Sequence, residues 1–110
     1  MTTTDANVFG LTERDLQTLR NVFAAYPEVE EVRIFGSRAK GNYHKGSDVD
    51  LAVMNEGVSV KSIRTITALL SESSLPYRVD LVNFPALSYP DFIEHINRVG
   101  RLIYKKIEGF

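Results

Sequence analysis

Residues 34–53 have the sequence IFGSRAKGNYHKGSDVDLAV, and this stretch decides how the rest of the chain is interpreted. An apolar strand pattern ends at Gly36-Ser37, a polar turn with basic residues follows, and a second strand pattern opens with Asp48 and Asp50. A glycine turn that admits phosphate and a pair of carboxylates are the two parts that hold a metal-bound nucleoside triphosphate. The stretch therefore predicts a nucleotide site between two strands.

Hydrophobic spacing on either side of this stretch predicts alternating helices and strands. Thr12 with Asp15 three residues later resembles a capping box, and apolar residues at helical spacing follow until Pro27. The predicted elements are, in chain order, a helix over 12–26, a strand over 31–35, a helical turn over 37–40, a strand over 48–54, a helix over 60–73 capped by Ser59, a strand over 77–82 and a helix over 88–99. The closing stretch 101–107, RLIYKKI, fits either an edge strand or a last helical turn.

This order predicts an α/β (α+β) fold in a single domain over residues 1–110, with a loose lead-in over 1–10. A small mixed β-sheet is expected to carry its helices on one face, since each element must bury its apolar side against another. The expected helical stripes are Ile63, Ile66, Leu69 and Leu70 in one helix and Phe92, Ile93, Ile96 and Val99 in the next. The other face of the sheet is then free, and we expect the site there.

The bulk composition limits the partners and the compartment. The 110 residues suit one domain, and 13 basic against 14 acidic residues give a formal charge of -1, which provides no long-range attraction to nucleic acid. We therefore expect no direct nucleic-acid binding. The sequence has no cysteine, which excludes disulfide, thiolate-metal and thiol-nucleophile sites. Since no apolar run approaches the ~20 residues that span a bilayer, we expect a cytoplasmic protein without a membrane contact.

Two acidic residues stand at alternate positions of the second strand pattern. Side chains two apart in a strand share a face, so Asp48 and Asp50 project together, about 7 Å apart at their Cα atoms, while Val49 and Leu51 face the core. Like charges held this close repel each other unless a cation lies between them. Mg²⁺ accepts one or two carboxylates together with phosphate oxygens and water, so the pair predicts a Mg²⁺ site, and two ions suit nucleotidyl transfer from a nucleoside triphosphate.

A third carboxylate lies in the next strand pattern. In RVDLV, Asp80 alternates with the apolar Val79 and Leu81, so its side chain points away from the core. If this strand neighbours the second one, Asp80 joins Asp48 and Asp50 on one side of the sheet. Asp80 is then a candidate to bind the catalytic metal and to orient the attacking hydroxyl or accept its proton.

The turn between the strands carries the candidate phosphate-binding residues. Gly36 lets the backbone turn sharply and approach a ligand, and Ser37 adds a hydroxyl beside the free amides of a helical turn. Arg38 and Lys40 are close enough in sequence to add positive charge at the same phosphates, although either is equally compatible with a position in water. By itself, a Gly-Ser pair or a lone Asp-x-Asp sequence usually belongs to an ordinary turn and binds no ligand. Their order, together with Asp80, favours a nucleotide site.

For three further residues, His44, His95 and Tyr43, the sequence favours a surface or packing position over a role in the site. His44 lies in a polar loop without a second metal ligand nearby, and we expect it to face solvent. His95 lies between Ile93 and Ile96, which indicates a surface or helix-packing role. Tyr43 fits a solvent-exposed loop position better than a base-stacking one.

The pattern G-S-x-A-x-G, a short loop and S-D-x-D-L-x-V resembles the signature of the minimal nucleotidyltransferases of the DNA polymerase β superfamily. Residues 36–41 and 47–53 carry it, and the resemblance extends over residues 12–105. It implies a polymerase β-type nucleotidyltransferase fold, with metal binding by Asp48, Asp50 and Asp80 and triphosphate binding by Gly36 and Ser37. Lys40 stands where the family often has arginine, which keeps the charge but loses a bidentate fork.

Chains this short resemble, within that superfamily, the antitoxins of HEPN/MNT toxin–antitoxin pairs. The resemblance implies transfer of AMP from ATP to a tyrosine of a HEPN ribonuclease toxin, with Mg²⁺ as cofactor and the toxin as partner in a hetero-oligomer. Two alternatives stay open: an antitoxin that acts by binding and occlusion without catalysis, and a nucleotidyltransferase that modifies a small molecule. The acceptor and the preferred base stay open as well.

Overall fold

The computed structural model describes residues 9–107. The helices are α1 (Glu13–Ala24), α2 (Gly36–Lys40), α3 (Val60–Ser71) and α4 (Pro90–Val99), and a 3-10 turn spans Phe84–Ala86. The strands are β1 (Glu31–Phe35), β2 (Val49–Val53), β3 (Val79–Asn83) and β4 (Arg101–Lys105). No helix in the described range is long and apolar enough to cross a membrane. The element order is the predicted one, and the ambiguous closing stretch contains a strand.

Helix α1 begins at the predicted capping box. The Thr12 hydroxyl accepts a hydrogen bond from the Asp15 amide at 3.0 Å, and the Asp15 carboxylate accepts one from the Thr12 amide at 3.0 Å. These bonds satisfy amides that have no partner within the helix. Leu16, Leu19 and Phe23 follow on the buried side of the helix and join the main core.

The strands form a mixed sheet in the order β3-β2-β1-β4. Strand β1 pairs antiparallel with both β2 and β4, and β2 pairs parallel with β3. The mixed sheet predicted from the sequence is thereby confirmed, and β4 is an edge strand. The parallel pairing of β2 with β3 aligns the two strands residue for residue, which brings Asp50 beside Asp80.

Helices α1 and α3 cover one face of the sheet. The strand residues buried in this main core are Val32, Ile34, Val49, Leu51, Val53, Val79 and Ile103. In α3, Ile66 and Leu70 are buried, but Leu69 is 41% exposed. The predicted stripe is therefore narrower than expected, because Leu69 lies on the flank of α3 opposite Ile63 and turns away from the sheet.

The other face of the sheet carries helix α4. A second core of Phe35, Ala52 and Ile96 is buried there, and further apolar residues of α4 pack against it. The expectation of a free face is therefore wrong for this part of the sheet. Phe35 and Ala52 are themselves apolar and point away from the main core, so they need a cover of their own. Asp50 and Asp80, on the same face, remain partly exposed.

Several element ends differ from the predicted ones by one or two residues, as such boundaries commonly do. Strand β2 begins at Val49, so Asp48 lies just before it. Helix α3 ends at Ser71. Helix α4 has Tyr89 rather than Ser88 at its N-cap, with Pro90 in its first turn.

The predicted loose lead-in lies mostly outside the described residues, which begin at Phe9. Phe9 is 8% exposed and Leu11 is 2% exposed, and both belong to the main core. The lead-in prediction is therefore wrong for Phe9, because its aromatic side chain is buried in that core.

Candidate active site

Asp50 in β2 and Asp80 in β3 are direct partners in the parallel register. They lie on the sheet face opposite α1 and α3, since Val49 and Leu51, which alternate with Asp50, point into the main core. Asp48 precedes β2 and is exposed. The structure thus brings two of the three predicted carboxylates together by strand register, and it holds the third in the loop that leads into β2.

The environment of Asp50 disfavours its negative charge. Burial raises the pKa of the Asp50 carboxyl, and the negative charges of Asp80 and Asp48 raise it further, while His95 acts in the opposite direction. The three carboxylates are therefore close enough to repel one another, and a bound cation would relieve that repulsion. Arg78 does so only weakly, because its Nε lies 3.6 Å from Oδ1 of Asp80 in an exposed pair.

The turn after β1 presses the Gly36 backbone against Asp50. Gly36 has φ 75°, a left-handed conformation that side chains rarely adopt. A Cβ at this position would overlap the Oδ2 atom of Asp50. The turn and the carboxylate therefore pack together only if this residue is glycine.

A cavity of about 570 Å³ opens beside these residues. It is lined by Phe35, Gly36, Asp50, Thr67, Asp80, Leu81, Val82, Phe92 and His95. One wall is acidic and another is apolar and aromatic, a combination that suits a ligand with a metal-bound phosphate chain and an aromatic ring. A second cavity, of about 400 Å³ between α1 and β4, has no acidic residue in its lining.

His95 is a site residue that the sequence analysis missed. Its ring lies 6.1 Å from the ring of Phe35 in an edge-to-face arrangement, and it lines the same cavity as Asp50. Phe92 completes this wall, with its ring 5.6 Å from that of Phe35. A signal was present in the sequence, because His95 follows Phe92 by three residues and so shares its side of α4.

The other predicted phosphate ligands separate in the structure. Ser37 is partly exposed near the start of α2, and Lys40 is exposed at its last residue. Arg38 is 1% exposed, and its guanidinium donates hydrogen bonds to the backbone carbonyls of Ser47 and Phe9. The prediction that Arg38 adds charge at the phosphates conflicts with this position, because its donors are already used inside the protein.

Within residues 9–107, no three His, Asp or Glu side chains are grouped as a metal site built from protein ligands alone. Asp48, Asp50 and Asp80 fit Mg²⁺ in a different way, since this ion takes one or two carboxylates and completes its shell with phosphate and water oxygens. Burial and then the repulsion by Asp80 and Asp48 raise the pKa of Asp50, and a bound cation would offset both effects. The arrangement is suited to hold a metal-bound phosphate chain against the Gly36 turn.

A curated relative matches part of the chain. It is named Probable protein adenylyltransferase MntA, from Haemophilus influenzae, and is 41% identical over 73 residues, which is 66% of this chain. The matched stretch spans 63% of that relative's own length. The similarity is therefore substantial but covers only part of either protein.

Solved structures with a similar fold include toxin–antitoxin complexes. A toxin–antitoxin structure with AMP-PNP aligns with a TM-score of 0.69 and 21% identity, over 84% of this chain and 74% of that chain. A complex of tri-AMPylated Shewanella oneidensis HEPN toxin with MNT antitoxin aligns with a TM-score of 0.59 and 20% identity, over 83% of this chain and 73% of that chain. At these identities the likeness is one of fold.

A family comparison covers most of the chain. The model described as Polymerase beta, Nucleotidyltransferase matches residues 17–108, a range that includes the Gly36 turn and all three carboxylates. The mixed sheet and its structural neighbours agree with this match. The chain therefore belongs to the polymerase beta nucleotidyltransferase family.

Proposed function

We propose that this chain transfers AMP from ATP to a tyrosine hydroxyl of a HEPN-type toxin in the cytoplasm, and thereby acts as its antitoxin. The observation that carries the proposal is the pairing of Asp50 with Asp80 beside the Gly36 turn. Nucleotidyl transfer needs a metal-bound triphosphate and an acceptor oxygen. The acceptor oxygen and the leaving oxygen of pyrophosphate must lie in line on opposite sides of the α-phosphorus. Neighbouring carboxylates at a glycine turn are suited to that arrangement.

The donor side of the site would be formed by the turn and the first two carboxylates. Gly36 and Ser37 bind phosphate oxygens through backbone amides and the serine hydroxyl, and the exposed Lys40 adds positive charge nearby. Asp48 and Asp50, together with Asp80, would hold Mg²⁺, with two ions as the expected number. When bound, Mg²⁺ would offset the charge of the triphosphate and of the leaving pyrophosphate.

Asp80 is the residue proposed to act on the acceptor hydroxyl. The tyrosine oxygen forms a bond to the α-phosphorus, the bond from this phosphorus to the α,β-bridging oxygen breaks, and pyrophosphate leaves with the electron pair. Asp80 orients the attacking hydroxyl and accepts its proton. Its side chain is 46% exposed, so the proton has a direct path to water afterwards.

The comparisons support the choice of donor and acceptor. The curated relative is named as a protein adenylyltransferase, and one structural neighbour contains a tri-AMPylated HEPN toxin bound to an MNT antitoxin. Another neighbour contains AMP-PNP. Since the matched stretch spans 63% of the relative's length, its activity and the toxin partner enter here as a proposal.

The test first looks for a HEPN-type protein in the reading frames adjacent to that of this chain, and then mixes the purified chain with ATP, Mg²⁺ and that protein. Intact-mass spectrometry should find one or more AMP additions on a HEPN tyrosine, and Asp80→Asn should abolish them. Asp91→Asn, at an exposed acid of α4, is the matched control and should retain transfer. The absence of any mass shift with the native chain, under conditions where the two proteins bind, would overturn the proposal.

The two alternatives predict other outcomes of the same system. Occlusion without catalysis predicts that a chain with both Asp48→Ala and Asp50→Ala still protects cells from the toxin. A small-molecule acceptor predicts that labelled ATP is consumed only when a hydroxylated small molecule is present. Loss of protection with retained toxin binding would reject occlusion.

A further inference from the structure

The guanidinium of Arg38 is engaged entirely by the protein. Nε and Nη2 donate to the carbonyl of Ser47 at 3.1 and 3.0 Å. Nη1 donates to the carbonyls of Phe9 at 2.8 Å and Gly10 at 3.3 Å, and Nη2 also reaches the carbonyl of Lys45 at 3.4 Å. Every guanidinium nitrogen therefore has a carbonyl partner.

Two tyrosine rings enclose this cation. The Arg38 Cζ atom lies 4.4 Å from the ring centroid of Tyr77 and 5.1 Å from that of Tyr43, both within cation–π range. Burial, and then the charge of Asp15, raises the pKa of Tyr77, while the charge of Arg38 acts in the opposite direction. Among the described residues no carboxylate forms an ion pair with Arg38. Carbonyl dipoles and ring faces thus stabilise the buried charge.

The hydrogen bonds from Arg38 to Ser47 lie next to Asp48, a candidate metal ligand. Asp50 and Asp80 are positioned by the register of β2 and β3, but Asp48 precedes β2 and is exposed. Ser47 is the residue immediately before Asp48 and receives two of the Arg38 bonds. The backbone that delivers Asp48 is therefore tethered to Arg38.

We propose that Arg38 is a positioning residue, which holds the 41–47 loop in the path that brings Asp48 to the metal-binding side of the site. This inference rests on the function proposed above and replaces the phosphate contact expected from the sequence. A guanidinium that moved to a phosphate would leave the carbonyls of Ser47 and Phe9 without these donors, which is unfavourable for carbonyls inside the protein. Lysine cannot substitute, because one ammonium lacks the planar fork that reaches both segments.

The test compares Arg38→Lys and Arg38→Met with Arg64→Met, a matched change at an exposed arginine of α3. Mn²⁺ is the probe, titrated by electron paramagnetic resonance without nucleotide, and amide hydrogen exchange is followed over residues 41–48. Both Arg38 variants should weaken Mn²⁺ binding by about 10–100-fold, the range found when a group supporting a metal ligand is removed. Exchange should accelerate over 41–48 and stay unchanged in β1. Arg64→Met should behave as the native chain.

A direct phosphate contact predicts the opposite pattern. In that case Mn²⁺ binding without nucleotide is unchanged, KM for ATP rises, and lysine restores much of the loss because it keeps the charge. This pattern would overturn the proposal. So would unchanged exchange over 41–48 in both variants.

If the Arg38 variants fail to fold, a measurement on the native chain still tests the proposal. The Arg38 Nε–H resonance in a ¹⁵N spectrum should exchange slowly with water and keep its position when AMP-PNP is added. A large shift on addition of the nucleotide would overturn the proposal. Failure of the native chain to transfer AMP would instead reject the proposed function, and the Mn²⁺, exchange and resonance results would still decide the role of Arg38.

Discussion

A Cβ on Gly36 would overlap the Oδ2 atom of Asp50. The two residues meet because Phe35 is the antiparallel partner of Asp50, so that Gly36 follows directly after the paired position. The left-handed φ of 75° then turns the chain across the carboxylate. The shape of the turn and the placement of the acid are therefore coupled.

We expect Gly36→Ala to lower the free energy of unfolding by about 2–5 kcal/mol. About 1–2 kcal/mol comes from a left-handed alanine and about 1–3 kcal/mol from the overpacking against Asp50. AMP transfer should fall as well, because the carboxylate must move to make room. Denaturant unfolding and a transfer assay well below the melting temperature measure the two effects.

Gly41→Ala is the matched control for this change. Gly41 also has a left-handed φ, 88°, but a Cβ there would meet no atom within 4 Å. The variant should lose only about 1–2 kcal/mol and keep its transfer activity. Equal losses of stability and activity in the two variants would contradict the coupling between Gly36 and Asp50.

Asp50→Asn is expected to stabilise the metal-free protein at neutral pH. Burial and the charges of Asp80 and Asp48 raise the pKa of Asp50, so the folded chain binds its proton more tightly than the unfolded chain does. The contribution of this group to stability is therefore greatest below the ordinary carboxyl pKa, and it is lost as the pH rises through the raised one. Removing the charge should recover on the order of 1 kcal/mol above that window.

Melting temperatures of both chains between about pH 3 and pH 7 measure this effect across the carboxyl titration range. The advantage of Asp50→Asn should be small at the acidic end and grow toward neutrality. Mg²⁺ should stabilise the native chain more than the variant. An advantage of the same size at every pH would mean that packing, and not charge, is its cause. Asp91→Asn is a control of opposite sign, because Asp91 is an exposed acid in the first turn of α4, where negative charge is favourable; this variant should lose a little stability toward neutrality.

The face of the sheet on which Asp50 and Asp80 lie was predictable because it depends on local alternation, whereas their direct pairing depends on the register of two strands. Asp50 and Asp80 each stand between apolar residues, which places both on the side of the sheet away from the main core. The position of Arg38 depends instead on a distant partner, the carbonyl of Phe9, 29 residues earlier in the chain. A basic residue in a polar turn has the same local pattern whether it faces a phosphate or turns inward.

The location of α4 shows a similar limit. Its apolar stripe follows from the spacing of Phe92 and Ile96, but nothing within the helix specifies which face of the sheet it covers. That choice depends on Phe35 and Ala52, which lie on two other elements. The same limit explains His95, since its role beside Asp50 appears only when α4 lies on the acidic face.

We expect Thr12→Ala to lower the free energy of unfolding by about 1 kcal/mol, the usual cost of losing an N-cap hydroxyl. The change removes the bond from the Asp15 amide to the Thr12 hydroxyl. Thr18→Ala is the matched control in the same helix, because the Thr18 hydroxyl bonds only to the carbonyl of Arg14 on the exposed side. It should be neutral or slightly stabilising, since alanine favours helix. Equal losses in urea unfolding would argue against the capping box.

Ile96→Ala is expected to lower the free energy of unfolding by about 2–5 kcal/mol, because the side chain is fully buried between α4 and the sheet and its removal leaves a cavity. Ile93→Ala, in the same helix but only partly buried, should cost clearly less. Ile96→Ala should also loosen the wall formed by Phe92 and His95. If that wall contacts the nucleotide, KM for ATP should rise more than kcat falls. Urea unfolding and transfer kinetics measure both effects. Equal, small losses of stability in the two variants would mean that α4 does not cover this face of the sheet in solution.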